Sequence, residues 1–234
     1  MLIFLSPAKT LDFTKPATTN RFTLPEFLDH TAKLIKKYKP LSAKEIAARM
    51  KVSEKIAELN HDRFQKLTTK LTQKNAKQAL FAYKGDVYRD IEVEKYTPSQ
   101  LEFAQKHLRM ISGLYGWLKP LDLIQPYRLE MHLETKFWQK ILTENLPKTL
   151  VLNLASEEYF KPIAKTSNKI LTVYFKEKDK IIPIYSKIAR GTMANFIIKN
   201  QITKPEDLKN FHEDGYKFNP KESTETSLVF TRQK

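Results

Sequence analysis

Cysteine is absent from this 234-residue chain, and with it go disulfides, thiolate nucleophiles, Fe–S clusters and Cys-based zinc sites. The five histidines (His30, His61, His107, His132, His212) are scattered, with no ligand-like His-x-x-x-His pair. No apolar run approaches the ~18 residues needed to span a bilayer. The opening MLIFLSPAK is too short for a signal peptide and lacks its basic leading segment. The expectation is a cytoplasmic protein with no membrane partner, no metal and no cofactor. Repeats, low-complexity segments and obvious linkers are also missing, so residues 1–234 read as one domain.

What is present is a folded globule's share of hydrophobic residues, 41%, and a formal net charge of +15. Such an excess favours polyanionic partners, nucleic acid first and anionic membrane second. Of the 41 basic residues 33 are lysine, spread along the whole chain, a pattern that a lysine-rich proteome produces with no binding function. Arginine is more informative, because its planar fork binds phosphate through two hydrogen bonds. Arg109, Arg128 and Arg190 each lie in a compact block punctuated by glycine or proline.

Leu2–Leu5 reads as a central strand closed by Ser6-Pro7. Residues 25–38 place Phe27, Leu28, Ala32, Leu34 and Ile35 at helical spacing behind Pro25. Ser42-x-x-Glu45 and Thr97-Pro98-Ser99-Gln100 are capping boxes, and Ser53 opens a further helix. Leu101, Ala104, Leu108 and Ile111 form a buried helical stripe, with Gly113 as its stop. Leu80–Tyr83, Leu150–Leu154, Ile170–Phe175, Ile181–Tyr185 and Leu228–Phe230 read as strands, those at 170 to 185 as an antiparallel hairpin. Helices follow at 187–200 and 205–210. The pattern predicts a mixed α/β (α+β) domain, a central mixed sheet flanked by helices, with first and last strands in one sheet.

The most informative stretch is HLRMISGLYGWLKPLDLIQPYRLE, residues 107–130. It reads as a helix, then a hairpin bracketed by Gly113 and Gly116, framed by Arg109 and Arg128 with Lys119 nearby. A glycine hairpin after a helix offers backbone N–H groups to a phosphate without Cβ obstruction. Ser6 to Leu11, carrying Lys9, follows the first strand, where α/β proteins hold phosphates, yet lacks the glycines of a Walker A loop. Lys84, Asp86 and Tyr88 follow a second strand end, and Lys187 and Arg190 a third. One such turn alone is ordinary, but three that each deliver a lysine predict a convergent basic cleft. Glu157 and Glu158 sit at a helix N-terminus, as caps or as acid/base partners of Glu130. Residues 44 to 63 have the rhythm of a helix-turn-helix reader without its usual small turn residue.

Taken together, SPAKTL (6–11), YKGDVY (83–88), the 107–130 block, NLASEEYF (153–160), ARG (189–191) and FHEDGYKF (211–218) resemble the bacterial YaaA family of peroxide-stress proteins over nearly the full length. The resemblance implies a cytosolic protein of resistance to hydrogen peroxide that lowers free iron and limits DNA damage. It also implies a helix-hairpin-helix-like element in a basic groove that binds DNA. Carried over, Gly113 to Gly116 would be that hairpin, after Arg109 and before Lys119. Lys9, Lys84, Arg128, Lys187 and Arg190 would line the groove.

The chemistry fits one part of this best. Without cysteine the chain has no thiolate to scavenge peroxide, and no His/carboxylate cluster offers iron an evident ligand set. Protecting DNA needs neither. The expectation is therefore a monomeric, sequence-independent DNA-binding protein. The competing reading is a nucleotide- or nucleic-acid-processing enzyme in the same cleft, motivated by Asp86, Tyr88, Glu130 and Glu157, which backbone binding leaves unexplained.

Overall fold

Residues 1–233 are described by a computed structural model. Seven strands form its main sheet: β1 (Leu2–Leu5), β2 (Leu108–Ser112), β3 (Gly116–Leu118), β4 (Val151–Leu154), β5 (Ile170–Glu177), β6 (Lys217–Phe218) and β7 (Ser227–Arg232). Their spatial order is β6-β7-β5-β4-β1-β2-β3. The strands from β7 to β2 run parallel, and β6 and β3 close the two edges antiparallel. β1 and β4 are buried along their whole length, as central strands of a parallel sheet are; β1 is wholly apolar, and β4 carries one polar residue, Asn153, whose Oδ1 accepts from Ala155 N. First and last strands share this sheet, as expected.

Six longer helices accompany it: α1 (Leu28–Tyr38), α2 (Ala43–Met50), α3 (Glu54–Lys66), α4 (Pro98–His107), α5 (Met131–Asn145) and α6 (Pro183–Lys199). Both capping boxes form. Ser42 and Thr97 accept from the backbone N–H three residues on, and Glu45 and Gln100 accept from Ser42 N and Thr97 N at 2.8 and 2.9 Å. Tyr38 of α1 stacks on Phe64 of α3, with centroids 5.1 Å apart. The α2–α3 pair has the outline of a helix-turn-helix, but the exposed face of α3 carries Glu54, Glu58 and Asp62. Acids on that face oppose insertion into a groove lined by phosphates. None of the described helices is long and apolar enough to cross a membrane.

Three expectations are overturned by tertiary context. Leu108–Ser112 is not helical but β2, which pairs in parallel with β1. The stripe Leu101, Ala104, Leu108 has helical spacing, yet Leu108 and Met110 also alternate, and the open position beside β1 decides between them. The Gly113–Gly116 segment is therefore a β-hairpin turn between β2 and β3, and no helix-hairpin-helix forms there. Leu80–Tyr83 is mostly one helical turn, Ala79–Ala82, with only Tyr83–Lys84 extended. Ile181–Tyr185 does not pair back on β5, because Pro183 has no N–H to give a ladder and instead opens α6.

The order of connections creates a crevice. β1 leads to β2 on one side, while β4, its other neighbour, leads to β5 on the far side. Loops leaving the carboxyl ends of β1 and β4 diverge, as at ligand sites of open parallel sheets. α6 lies across β1, β4 and β5 and presses on the turn Asp86–Tyr88. Gly191 permits that approach, since a Cβ there would lie 1.7 Å from the Val87 carbonyl oxygen.

Replacing Gly191 by alanine should therefore lower stability by about 3 kcal/mol, read as a fall in the urea midpoint. Ser42→Ala, which removes one cap, should cost only about 1 kcal/mol. Equal stability of Gly191→Ala and the parent would mean that α6 does not press on Val87 as described.

Candidate functional site

The site is built on hydroxyl contacts at the carboxyl end of β2. Ser112 Oγ accepts from the N–H groups of Leu114 and Tyr115 (3.2 and 3.0 Å) and bonds the Tyr127 hydroxyl at 2.7 Å. The Tyr127 hydroxyl in turn bonds that of Tyr83 at 2.6 Å. Burial pushes the Tyr127 phenol up to about 12, so this chain of hydroxyls stays neutral at physiological pH. Tyr115 Oη accepts from Gln125 N at 3.2 Å. Gly113 lies directly under the next segment, where a Cβ would stand 2.2 Å from the Leu129 carbonyl oxygen. Residues 125–130 are thereby held against the carboxyl edge of the sheet.

This placement delivers Arg128 and Glu130 to the crevice. Arg128 Nε donates to Glu130 Oε1 at 2.8 Å, and Lys9 Nζ, on the loop after β1, stands 3.8 Å from the same oxygen. Glu130 is only 4% exposed, and its Oε2 is buried with no partner. Neither Nη of Arg128 has a partner among the described residues. Arg63, in the last turn of α3, joins them: Thr68 N donates to Gln125 Oε1 at 2.9 Å and draws the end of α3 to this loop. Burial, and then the charge of Arg128, hold the Arg63 guanidinium below the usual arginine range. No carboxylate pairs with Arg63 among the described residues.

The walls are polar and fixed. Ser156, after β4, donates its N–H to Ser6 Oγ at 2.8 Å, bridging the ends of β4 and β1. Tyr88 Oη donates to the Ser6 carbonyl at 2.7 Å. His132 Nδ1 lies 3.0 Å from Glu158 Oε1. Two cations on one recessed carboxylate, with Arg63 beside Arg128, make a site for an anion, with charge left over after the internal pair is counted.

The residues expected from sequence divide into two groups. Lys9, Arg128 and Glu130 meet at the crevice. Lys84 is exposed on a two-residue ladder opposite Thr10, beside the Lys9 loop, and Asp86 is exposed at the following turn. Lys187 is exposed near the start of α6, and Arg190, one turn on, is largely buried with its Nε unpartnered. Glu157 is exposed on a one-turn helix, Glu157–Phe160. Tyr88 is buried and supports Ser6, and so is part of the frame.

Arg109 and Lys119 do not join this group. Arg109 lies early in β2, and Lys119 just past β3, which runs back antiparallel to it, so both sit toward the opposite end of the sheet. Arg109 Nη1 turns onto the carbonyls of Gln105, Lys106 and Leu108 (3.2, 3.3 and 2.8 Å) and caps the end of α4. Lys119 faces Glu26 at 3.9 Å. Gly113 and Gly116 are buried, and the amides between them are already bonded to Ser112, so this turn offers no N–H to a phosphate. Arg63 was not foreseen as a site residue. Its signal in the sequence is an arginine one position before Phe64, on the boundary of the helix's buried face.

One carboxylate near Arg109 carries a pH signature. Burial raises Asp122 from 3.8 to about 6, against opposing bonds from Thr23 and Lys119 N. Between those two values the native state holds a proton that the unfolded chain has lost. Stability from this group is full below about pH 4 and falls as pH rises through 6, by roughly 3 kcal/mol. Asp122→Asn should flatten the urea-midpoint profile between pH 4 and 6; an unchanged slope would assign the dependence to other groups.

Residues 1–222 match the family model described as peroxide stress protein YaaA. Two relatives, UPF0246 proteins from Aliivibrio fischeri strains ATCC 700601 / ES114 and MJ11, are each 48% identical, aligned over 100% of this chain and 98% of their own length. The matched spans run through all the loops that build the crevice. The chain belongs to the YaaA family of peroxide stress proteins.

Proposed function

We propose that this peroxide stress protein binds DNA, without reading sequence, through the crevice at the carboxyl edge of its sheet, and so limits oxidative damage. The observation that carries the reading is the meeting of Lys9 and Arg128 on one buried carboxylate, with Arg63, from a third distant part of the chain, close enough to Arg128 to feel its charge. Proteins place like charges together when an anion is to come between them. Lys84 beside the Lys9 loop and Lys187 on α6 extend the positive surface along a strand's path. The net charge of +15 supports it by steering polyanions to the surface. Of the two roles that the family resemblance implies, protection of DNA is the one the crevice supports.

Phosphate contacts give an affinity that falls with salt, the slope of log K against log salt being about 0.9 per neutralised phosphate on duplex DNA. Arg63→Ala/Arg128→Ala should weaken duplex binding by roughly tenfold or more and reduce that slope by about 1.8, read by fluorescence anisotropy across a salt series. Arg109→Ala should lower stability by about 1 kcal/mol and leave DNA affinity within about twofold, because its guanidinium caps a helix. Equal losses of affinity from the two proteins would place the contact surface elsewhere.

A further inference from the structure

Backbone binding accounts for the lysines around the crevice, but not for its floor. A carboxylate facing a phosphate diester chain repels it, yet Glu130 lies at the centre of the cations. Its contact with Arg128 gives the reason. The bond to Glu130 engages Nε and leaves both Nη groups free, so the carboxylate acts as a clamp that aims the guanidinium fork. The Arg128 side chain is only 18% exposed, and that of Lys9 is 62% exposed. The guanidinium is thus recessed, with a mobile ammonium at the rim.

Depth and charge both select the anion. Three cations less one carboxylate leave a local charge of about +2, which matches a phosphate monoester dianion better than a singly charged diester. An internal phosphate of a duplex, flanked by its neighbours, meets the fork only from the rim of the crevice; a terminal one can descend to the floor and engage it fully. In the cleft beside α6 the charges are already paired: Lys199 and the neighbouring Lys95 both pair with Glu92, and Arg89 pairs with Asp90.

We propose that the floor of the crevice is a pocket for one terminal phosphate monoester, gripped by Arg63, Arg128 and Lys9, with Glu130 as the residue that positions Arg128. The inference rests on the DNA-binding reading for its setting. The shared chemistry is a nucleotide's terminal phosphate, whether on the 5′ end of a strand or on a free mononucleotide.

The experiment compares identical blunt duplexes bearing 5′-phosphate or 5′-hydroxyl ends, by anisotropy at fixed salt. Deoxyadenosine monophosphate, deoxyadenosine and inorganic phosphate serve as competitors. The 5′-phosphate duplex should bind about tenfold more tightly. Deoxyadenosine monophosphate should compete and deoxyadenosine should not. Competition that removes the end preference, at equal affinity for mononucleotide and strand end, would name the free nucleotide as an equally good occupant. Inorganic phosphate as effective as the mononucleotide would confine recognition to the phosphate itself, within the same pocket. Arg63→Ala and Glu130→Gln should each abolish the preference. The glutamine protein should keep its unfolding midpoint while losing the end preference, which separates positioning from a structural role. Arg63→Ala, on a half-buried helical position, covers the case in which Glu130→Gln does not fold. Equal binding of the two duplexes by the parent protein overturns the pocket while leaving DNA binding in place. Competition-grade binding of the mononucleotide, with no duplex binding, overturns the DNA reading while leaving the pocket.

Discussion

The contact of Ser112 with Tyr127, relayed to Tyr83, is the interaction on which the rest of the site depends. It joins a strand end, an irregular loop and a second strand end through two buried hydroxyl bonds, where no water competes for them. An irregular segment such as residues 120–130 cannot satisfy its own backbone, and it needs such anchors to hold one conformation. Gly113 completes the arrangement by allowing the Leu129 carbonyl to approach within a distance that any side chain would block. Arg128 and Glu130 inherit their positions from these contacts. Trp138 adds a bond from its Nε1 to the Gly113 carbonyl at 2.8 Å, which ties α5 to the same turn.

The distribution of charge then separates surface from site. Many of the bases are lysines facing solvent, where an ion pair contributes little and solvent screens the charge. The arginines are treated differently. Arg232 is buried against Glu177 and between the rings of Tyr185 and Tyr216, and Arg109 caps a helix. Both are consumed by the fold. Arg63 and Arg128 retain donors with no protein partner, at the one place where the sheet's connections diverge. A net charge of +15 favours polyanions over the surface as a whole, and the unspent donors of Arg63 and Arg128 are the basis for placing the proposed anion site at the crevice.

The membership of a peroxide stress family gains physical content from this arrangement. Reactive thiols are absent, and the proposed protection rests on binding, which needs none. A preformed anion site on a rigid parallel sheet, with its arginine aimed by a carboxylate, loses little freedom when a phosphate arrives. In the proposed pocket such preorganisation favours a recessed end over a passing backbone, a choice that a flexible field of lysines does not offer.

Local signals in the chain were sufficient for the elements whose causes are local. The two capping boxes, the proline-led helix starts, the apolar strand β1 and the largely apolar β4 were legible, because each depends on residues within a few positions. Family resemblance likewise located Lys9 and Arg128. The fate of residues 108–118 was not legible: helical and alternating patterns overlap there, and pairing with β1, a hundred residues away, decides between them. The same holds for the arginines. Arg109 and Arg128 look equivalent along the chain, and only the sheet's register sends one to cap a helix and the other to the crevice. Arg63, on an ordinary amphipathic helix, comes near Arg128 through tertiary contacts such as the bond of Thr68 to Gln125 and the stacking of Phe64 on Tyr38. Composition and short-range pattern determined the strands, the caps and the appetite for anions; long-range pairing and buried hydroxyl bonds decided which cations meet.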